Sequence, residues 1–302
     1  MDLPPGLHTR RSLVAVGHVD SEVRCAVRAG TITRVRPGAY LAGPVPAQPE
    51  VRHALLVRAT AERLGRGAVA SHVSAAVLHG LPVWNVPLSR VHVTRDRGYG
   101  GRRDRRLHVH VAPLAAAEVQ LAQGVPVTSP ARTVVDLARS VGFEEATVVA
   151  DAALRRELVS PSELAAVLRR VTGWRGTPTA RRVVAFADGR AESPGESRSR
   201  VAILRAGLPT PELQWPVRAA TGEVLGYADF AWPGLGTVGE FDGLTKYGRL
   251  LRPGETIEDA VYREKLREDA FRSEGLWVAR WTWREIVAFE PAAERIRRGF
   301  RA

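Results

Sequence analysis

Residues 226–246, GYADFAWPGLGTVGEFDGLTK, constrain this chain more than any other stretch. Val224–Trp232 is rich in aromatic and small residues, Pro233-Gly234-Leu235-Gly236 interrupts it, and residues 237–241 resume with strand formers before Asp242-Gly243. That pattern predicts a β-hairpin. Strand side chains alternate between faces, so Tyr227, Asp229 and Ala231 share one side, as do Val238, Glu240 and Asp242 on the returning strand. Pairing the two strands brings Asp229 beside Glu240 and Asp242. Three such anions repel one another unless they are solvated, protonated or bridged by a cation. Mg²⁺ (or Mn²⁺) is the natural bridge, because it prefers carboxylate oxygen and can hold an attacking water and a phosphate oxygen together. The plainer reading makes Asp242-Gly243 a turn and Asp229 a solvent-facing strand residue, although Asp is a poor strand former.

Charge narrows the partners. The formal charge is +12, with 44 basic residues against 32 acidic, so a polyanion is expected, and nucleic acid before membrane, because there is neither a basic amphipathic anchor nor a long apolar run. The start, MDLPPGLHTRRSL, lacks the apolar stretch of a signal peptide, and a cytoplasmic protein is expected. A single cysteine, Cys25, excludes an internal disulfide and a cysteine-rich zinc site, and reads as a core residue of a short helix. All eight histidines lie between His8 and His110, so chemistry at the hairpin has to rest on carboxylate and metal, with a lysine. Only Lys246 and Lys265 are lysines, and both lie near the hairpin. Lysine can shift its pKa and orient a water, which arginine cannot.

Asp229, ten intervening residues and Glu240-Phe241-Asp242-Gly243 resemble the core of the PD-(D/E)xK nucleases. More narrowly, residues 190–290 are similar to the domain family related to very-short-patch repair endonucleases, with supporting text in Glu192-Ser-Pro-Gly-Glu196 and in the run from Arg263 to Trp281. The resemblance implies a mixed sheet flanked by helices, a metal held by Asp229, Glu240 and Asp242, and a catalytic-face role for Glu196. Family members carry Lys two residues after the Glu, where this chain has Asp242. A basic residue on the following helix can stand in for it, Lys265 being the first candidate and Lys246 the second. Glu196 also has a local explanation, since Ser193, Pro194 and Glu196 form a capping box.

At the other end, residues 8–43 read as a helix-turn-helix with a wing. Asp20-Ser21 caps a helix with Val23, Cys25, Ala26 and Val27 on its apolar side, and residues 31–41 alternate around Pro37-Gly38. Arg24 and Arg28 on the helix and Arg34 and Arg36 on the wing are the expected DNA contacts. The pattern R-A-G-x-I-x-R-V-R-x-G-x-Y resembles the N-terminal winged helix of AbiEi-type antitoxins, autoregulators of type IV toxin-antitoxin systems, which implies DNA and a cognate toxin as partners. The run from Gly124 to Ala138 resembles the downstream domain of the same family.

Between these segments, residues 51–90 look helical, and residues 88–94 and 107–111 read as a hairpin. Its tip, residues 95–106, carries six Arg and three Gly and includes Arg102 and Arg103, for a nucleic-acid backbone or simply for solvent. His72 and His79 lie seven apart on one helix face, and His108 and His110 share a strand face. With no H-x-x-x-H or cysteine pairing, these read as structural or surface histidines. A capping box at Ser160-Pro161-Ser-Glu163 and a cap at Thr256 predict further helices, and residues 277–281 a last strand. The expected fold is α/β (α+β): a winged helix over 1–43, an antitoxin-like α/β domain over 50–175 and a restriction-endonuclease-like domain over 185–302. Two functions stay open, a metal-dependent endonuclease and a non-catalytic regulator or antitoxin carrying an inactive nuclease fold.

Overall fold

The computed structural model describes residues 3–65, 67–243 and 256–300. It is an α+β protein that divides into two units, Met1–Val149 with Glu157–Ala185, and Ala150–Arg156 with Phe186–Ala302. The expected segments 1–43 and 50–175 share the first unit, apart from Ala150–Arg156, which group with the second. Lys246 lies outside the described residues.

The first unit opens with β1 (Gly6–Thr9), α1 (Arg10–Ala15), α2 (Asp20–Arg28), β2 (Ile32–Arg36) and β3 (Ala39–Ala42). The three strands form an antiparallel sheet in the order β1-β3-β2. Leu13, Val23, Ala26, Ile32 and Ala42 make its core. Cys25 is exposed rather than buried, because the helical stripe runs through Val23, Ala26 and Val27 and leaves Cys25 two residues out of phase.

Next come α3 (Pro49–Leu64), β4 (Val69–Ala70), α4 (His72–Leu78), β5 (Val91–Arg95), β6 (Arg102–Arg103) and β7 (Leu107–Val111). After them come β8 (Val119–Ala122), β9 (Val125–Thr128), α5 (Pro130–Ala138), α6 (Phe143–Arg155), α7 (Pro161–Arg170) and α8 (Thr177–Phe186). A strand therefore interrupts the helix expected over 51–90. The six strands lie in the order β6-β7-β5-β4-β9-β8. The expected hairpin between β5 and β7 is corrected here, since they pair in parallel, Val93 opposite Val109. Parallel neighbours need a crossover rather than a tight turn, and residues 96–106 supply it, with β6 returning antiparallel on β7. Ser160 and Glu163 form the expected capping box of α7.

The second unit contains α9 (Pro194–Arg205), β10 (Glu212–Arg218), β11 (Val224–Trp232) and β12 (Thr237–Asp242). Then follow α10 (Ile257–Ser273), β13 (Trp277–Thr282), α11 (Trp283–Val287) and α12 (Glu290–Gly299). The hairpin read from the sequence forms as β11 and β12, and Thr256 caps α10. In the sheet β10-β11-β12-β13 the first three strands are antiparallel, and β13 joins β12 in parallel. On one side Phe230, Phe241 and Trp281 pack with residues of α9 and α12. Each such large side chain contributes about 1.5–3 kcal/mol by leaving water. Gly239 makes room for the Trp281 indole, because a Cβ there would lie 2.6 Å from its Cη2. On the other side Val217, Ala231 and Val238 pack against Phe271 of α10.

Candidate functional site

β11 and β12 stay in register from Trp232↔Thr237 to Phe230↔Gly239. One step further the Asp229 carboxylate itself accepts the Phe241 N–H, at 2.8 Å. The side chain that most disfavours a strand is thus held by the neighbouring strand's backbone. Glu240, the residue before Phe241, points to the α10 side and accepts from the Arg267 guanidinium at 2.8 Å. Arg267 also donates to the Tyr227 carbonyl, which ties α10 to β11.

Glu196 enters from α9. Ser193 Oγ accepts the Glu196 N–H at 3.2 Å as the N-cap, while the Glu196 carboxylate accepts from the Glu192 N–H at 2.7 Å and the Ser193 hydroxyl at 2.8 Å, one residue away from the expected capping-box partner. Gln214 Nε2 donates to the same carboxylate at 3.1 Å. Gln214 stands on β10 between Leu213↔Phe230 and Trp215↔Ala228, which places it opposite Asp229 in the ladder. Its φ of +50° is uncommon for a non-glycine residue. Glu196 is thus bonded to β10 and Asp229 to β12, and Glu196, Asp229 and Glu240 are only 3%, 7% and 3% exposed. Carboxylates so buried are costly unless partners hold them, as the amide, hydroxyl and guanidinium donors do here.

Asp242 is more open and pairs with Arg280 at 3.8 Å. Arg280 stands opposite Glu240 on β13 and also reaches Glu268 of α10 at 3.1 Å. The mutual repulsion expected among the hairpin carboxylates is thus relieved by Arg267 and Arg280. Lys265 is exposed, and Arg267, two positions on and roughly 200° around the helix, is the basic side chain beside Glu240. Sequence reading missed Arg267 and Arg280. Arg267 was legible from Phe271, the apolar residue one turn beyond it.

In the first unit Arg24, Arg28 and Arg34 are exposed, whereas Arg36 is half-buried and donates to the Thr60 hydroxyl. Burial and the neighbouring Arg63 and Arg106 hold the Arg36 pKa below its usual value. These groups share a cleft of roughly 670 Å³ whose lining also includes Arg102 and Arg105. Wing and crossover therefore meet in one basic surface, although the sequence places them far apart. Asp104 organises the crossover, accepting from the Arg106 and Leu107 N–H groups and from the Arg102 guanidinium. Those donors hold its pKa down at about 2. Among the described residues no helix is long and apolar enough to cross a membrane.

No family model matches the chain. The crystal structure of RV2827C protein from Mycobacterium tuberculosis covers 71% of this chain and 84% of its own, with a TM-score of 0.40 and 17% identity. The uncharacterized proteins MT2308, from M. tuberculosis strain CDC 1551 / Oshkosh, and Rv2248, from strain ATCC 25618 / H37Rv, are each 35% identical over 205 residues. That alignment spans 68% of this chain and 72% of each relative. The chain belongs to the protein family that includes Rv2248 and MT2308 of M. tuberculosis.

Proposed function

We propose that this chain binds DNA and that its second unit is a metal-dependent endonuclease of the PD-(D/E)xK kind, related to the very-short-patch repair enzymes. The carrying observation is the burial of three carboxylates around one sheet: Asp229 on β11, bonded to the β12 backbone, Glu240 on β12, and Glu196 on α9, bonded to Gln214 of β10. The order α9-β10-β11-β12-α10-β13, a three-stranded meander followed by a helical crossover to a parallel strand, accords with the resemblance in residues 190–290.

The donor set fits a hard divalent ion, being carboxylate oxygen throughout. Asp229 and Glu240 would hold Mg²⁺ or Mn²⁺, with Asp242 assisting at the open edge. Such an ion supplies Lewis acidity to a phosphate oxygen and an activated water. The Phe241 N–H fixes the Asp229 rotamer, and the Arg267 guanidinium holds the buried Glu240 carboxylate. Arg267 and Arg280 carry the planar donor forks that suit phosphate oxygens. They occupy the surroundings in which the resemblance puts lysine, so Arg267 displaces Lys265 as the first positioning candidate. In the first unit Arg24, Arg28, Arg34 and the basic cleft supply phosphate contacts.

The ion pairs Arg267–Glu240 and Arg280–Asp242 favour a second reading, an AbiEi-like regulator whose nuclease-type unit binds without cutting. Supercoiled plasmid incubated with the protein and Mg²⁺ or Mn²⁺ separates the two. Nicking that EDTA, Asp229→Asn and Glu240→Gln each abolish is the expected outcome. DNA binding without metal-dependent nicking would transfer the assignment to the regulator, with a cognate toxin as its further partner.

A further inference from the structure

Histidines that read from the sequence as structural or surface groups converge in the first unit. β5 and β7 pair with His92 opposite His108 and Thr94 opposite His110, so alternation puts His92, His108 and His110 on one sheet face. α4 delivers His72 onto the same face from a left-handed backbone, φ +51°. Such a conformation is uncommon outside glycine and clusters at functional positions. His110 Nε2 lies 3.1 Å from His92 Nδ1, and the His72 and His110 rings stack with centroids 3.7 Å apart. One ring nitrogen from each of His72, His92 and His110 lies within 4.8 Å of the others. His108 packs against His110 at 3.8 Å.

Nitrogens bound to one tetrahedral zinc at about 2.0–2.1 Å stand about 3.4 Å apart, close to the spacing of His92 and His110. Ser71 supports the third ring. Its hydroxyl bonds His72 Nδ1 at 3.0 Å and accepts from Thr94 Oγ1 at 2.8 Å, the outer partner that orients a ligating imidazole and leaves Nε2 for an ion.

The surroundings have an open side. His72, His108 and His110 line a cleft of roughly 510 Å³ together with Arg103, Arg139 and Trp174. Arg132, buried in the lining of the cleft, is neutralised by Glu118 at 3.0 Å and Asp136 at 2.8 Å, and Arg139 pairs with the same Asp136. The positive charge left at the cleft belongs to its rim.

We propose that His72, His92 and His110 form a binding site for a divalent transition-metal ion, zinc first, with a fourth position open to the arginine-rimmed cleft for water or an anionic oxygen. Three imidazoles and one open position is the arrangement of a reactive zinc rather than a closed structural one. Nitrogen donors also separate this site from the oxygen donors Asp229 and Glu240 in metal preference.

Full-length protein stripped with a chelator and titrated with Zn²⁺ by calorimetry, and with Co²⁺ by visible absorption, tests the proposal. Expected are one Zn²⁺ per chain, intense tetrahedral Co²⁺ bands, and loss of Zn²⁺ affinity in His92→Ala and His110→Ala. That loss exceeds the roughly 10–100-fold expected when the outer partner is removed in Ser71→Ala. His18→Ala and Asp229→Asn bind Zn²⁺ as the parent does. Imidazole NMR resonances of the unaltered chain report ligation independently, three histidines shifting with one equivalent of Zn²⁺, should a variant fail to fold. Sub-stoichiometric binding, an octahedral Co²⁺ spectrum, unchanged affinity in His92→Ala and His110→Ala, or loss in Asp229→Asn instead would each overturn it.

Discussion

Replacing Arg267 by Met separates the structural role of the Glu240 ion pair from a role in metal binding. The Glu240 side chain is 4% exposed and the Arg267 side chain 26%, with a 2.8 Å contact between them. Removing one partner of a buried pair costs about 3–5 kcal/mol, because the remaining charge keeps its desolvation penalty. Partial exposure of the guanidinium lowers that to roughly 2–3 kcal/mol. In a unit of this size each kcal/mol moves the melting temperature by roughly 3–5 °C, so Arg267→Met should melt about 6–15 °C lower in EDTA. If Asp229 and Glu240 hold a divalent ion, Mg²⁺ takes over the neutralisation. At about 100 times its Kd the ion stabilises any form that binds it by roughly 2.7 kcal/mol, and it narrows the deficit only as far as the variant binds it more tightly than the parent. Differential scanning calorimetry of parent and variant in EDTA and in Mg²⁺ provides the four numbers. An unchanged melting temperature in EDTA would refute the ion-pair reasoning, and melting temperatures that Mg²⁺ raises in neither protein would refute the metal role of the carboxylates.

Gly195→Ala places a Cβ 2.0 Å from Phe241 Cε1; the overpacking costs about 1–3 kcal/mol, against a helix-propensity gain of about 1 kcal/mol. Urea unfolding should show net destabilisation that Phe241→Leu partly reverses, and an unchanged midpoint would contradict the packing. Asp151→Ala removes the partner of Arg200, a buried pair at 2.7 Å, and should cost about 3–5 kcal/mol. Asp151→Asn, which keeps an acceptor for the Asp188 N–H, should cost less, and equal losses would remove the Asp188 bond from the explanation. The double change Arg102→Ala with Arg106→Ala should flatten the salt dependence of DNA affinity by up to about 1.8 in log–log slope, at about 0.9 per phosphate contact. An unchanged slope would remove the cleft from the interface.

Local chemistry was legible wherever one residue decides it. Ser193, Ser160 and Thr256 cap helices where their spacing to an acidic residue at N3 says they should, and Pro233-Gly234 separates two strands. What failed depended on partners distant in sequence. Runs of similar composition on either side of the Arg-rich loop fit a hairpin or a parallel pair equally well. The choice was made by β4, which inserts antiparallel beside β5 and parallel beside β9. The histidines illustrate the same limit. Alternation showed that His108 and His110 share a face, but only the parallel register with β5 brings His92 alongside, and only the turn at Ser71 adds His72.

The misplaced lysine has a different origin. Residue chemistry alone favours Lys265, whereas helical phase, which the sequence also carries, favours Arg267. At about 100° per residue, the face that Phe271 commits to the sheet passes through position 267 one turn earlier, while position 265 points to the far side. Phe271 is 1% exposed and packs beneath Ala231 and Val238. Arg267 must then emerge over the next pair along the strands, where β12 carries Glu240. Arginine suits that position for a physical reason, since its guanidinium stays charged when half-buried and spans two acceptors, here the Glu240 carboxylate and the Tyr227 carbonyl. A lysine in the same place would neutralise Glu240 but leave β11 untied. Arg267→Lys should therefore retain most of the melting temperature that Arg267→Met loses, while hydrogen exchange accelerates at the Tyr227 end of β11.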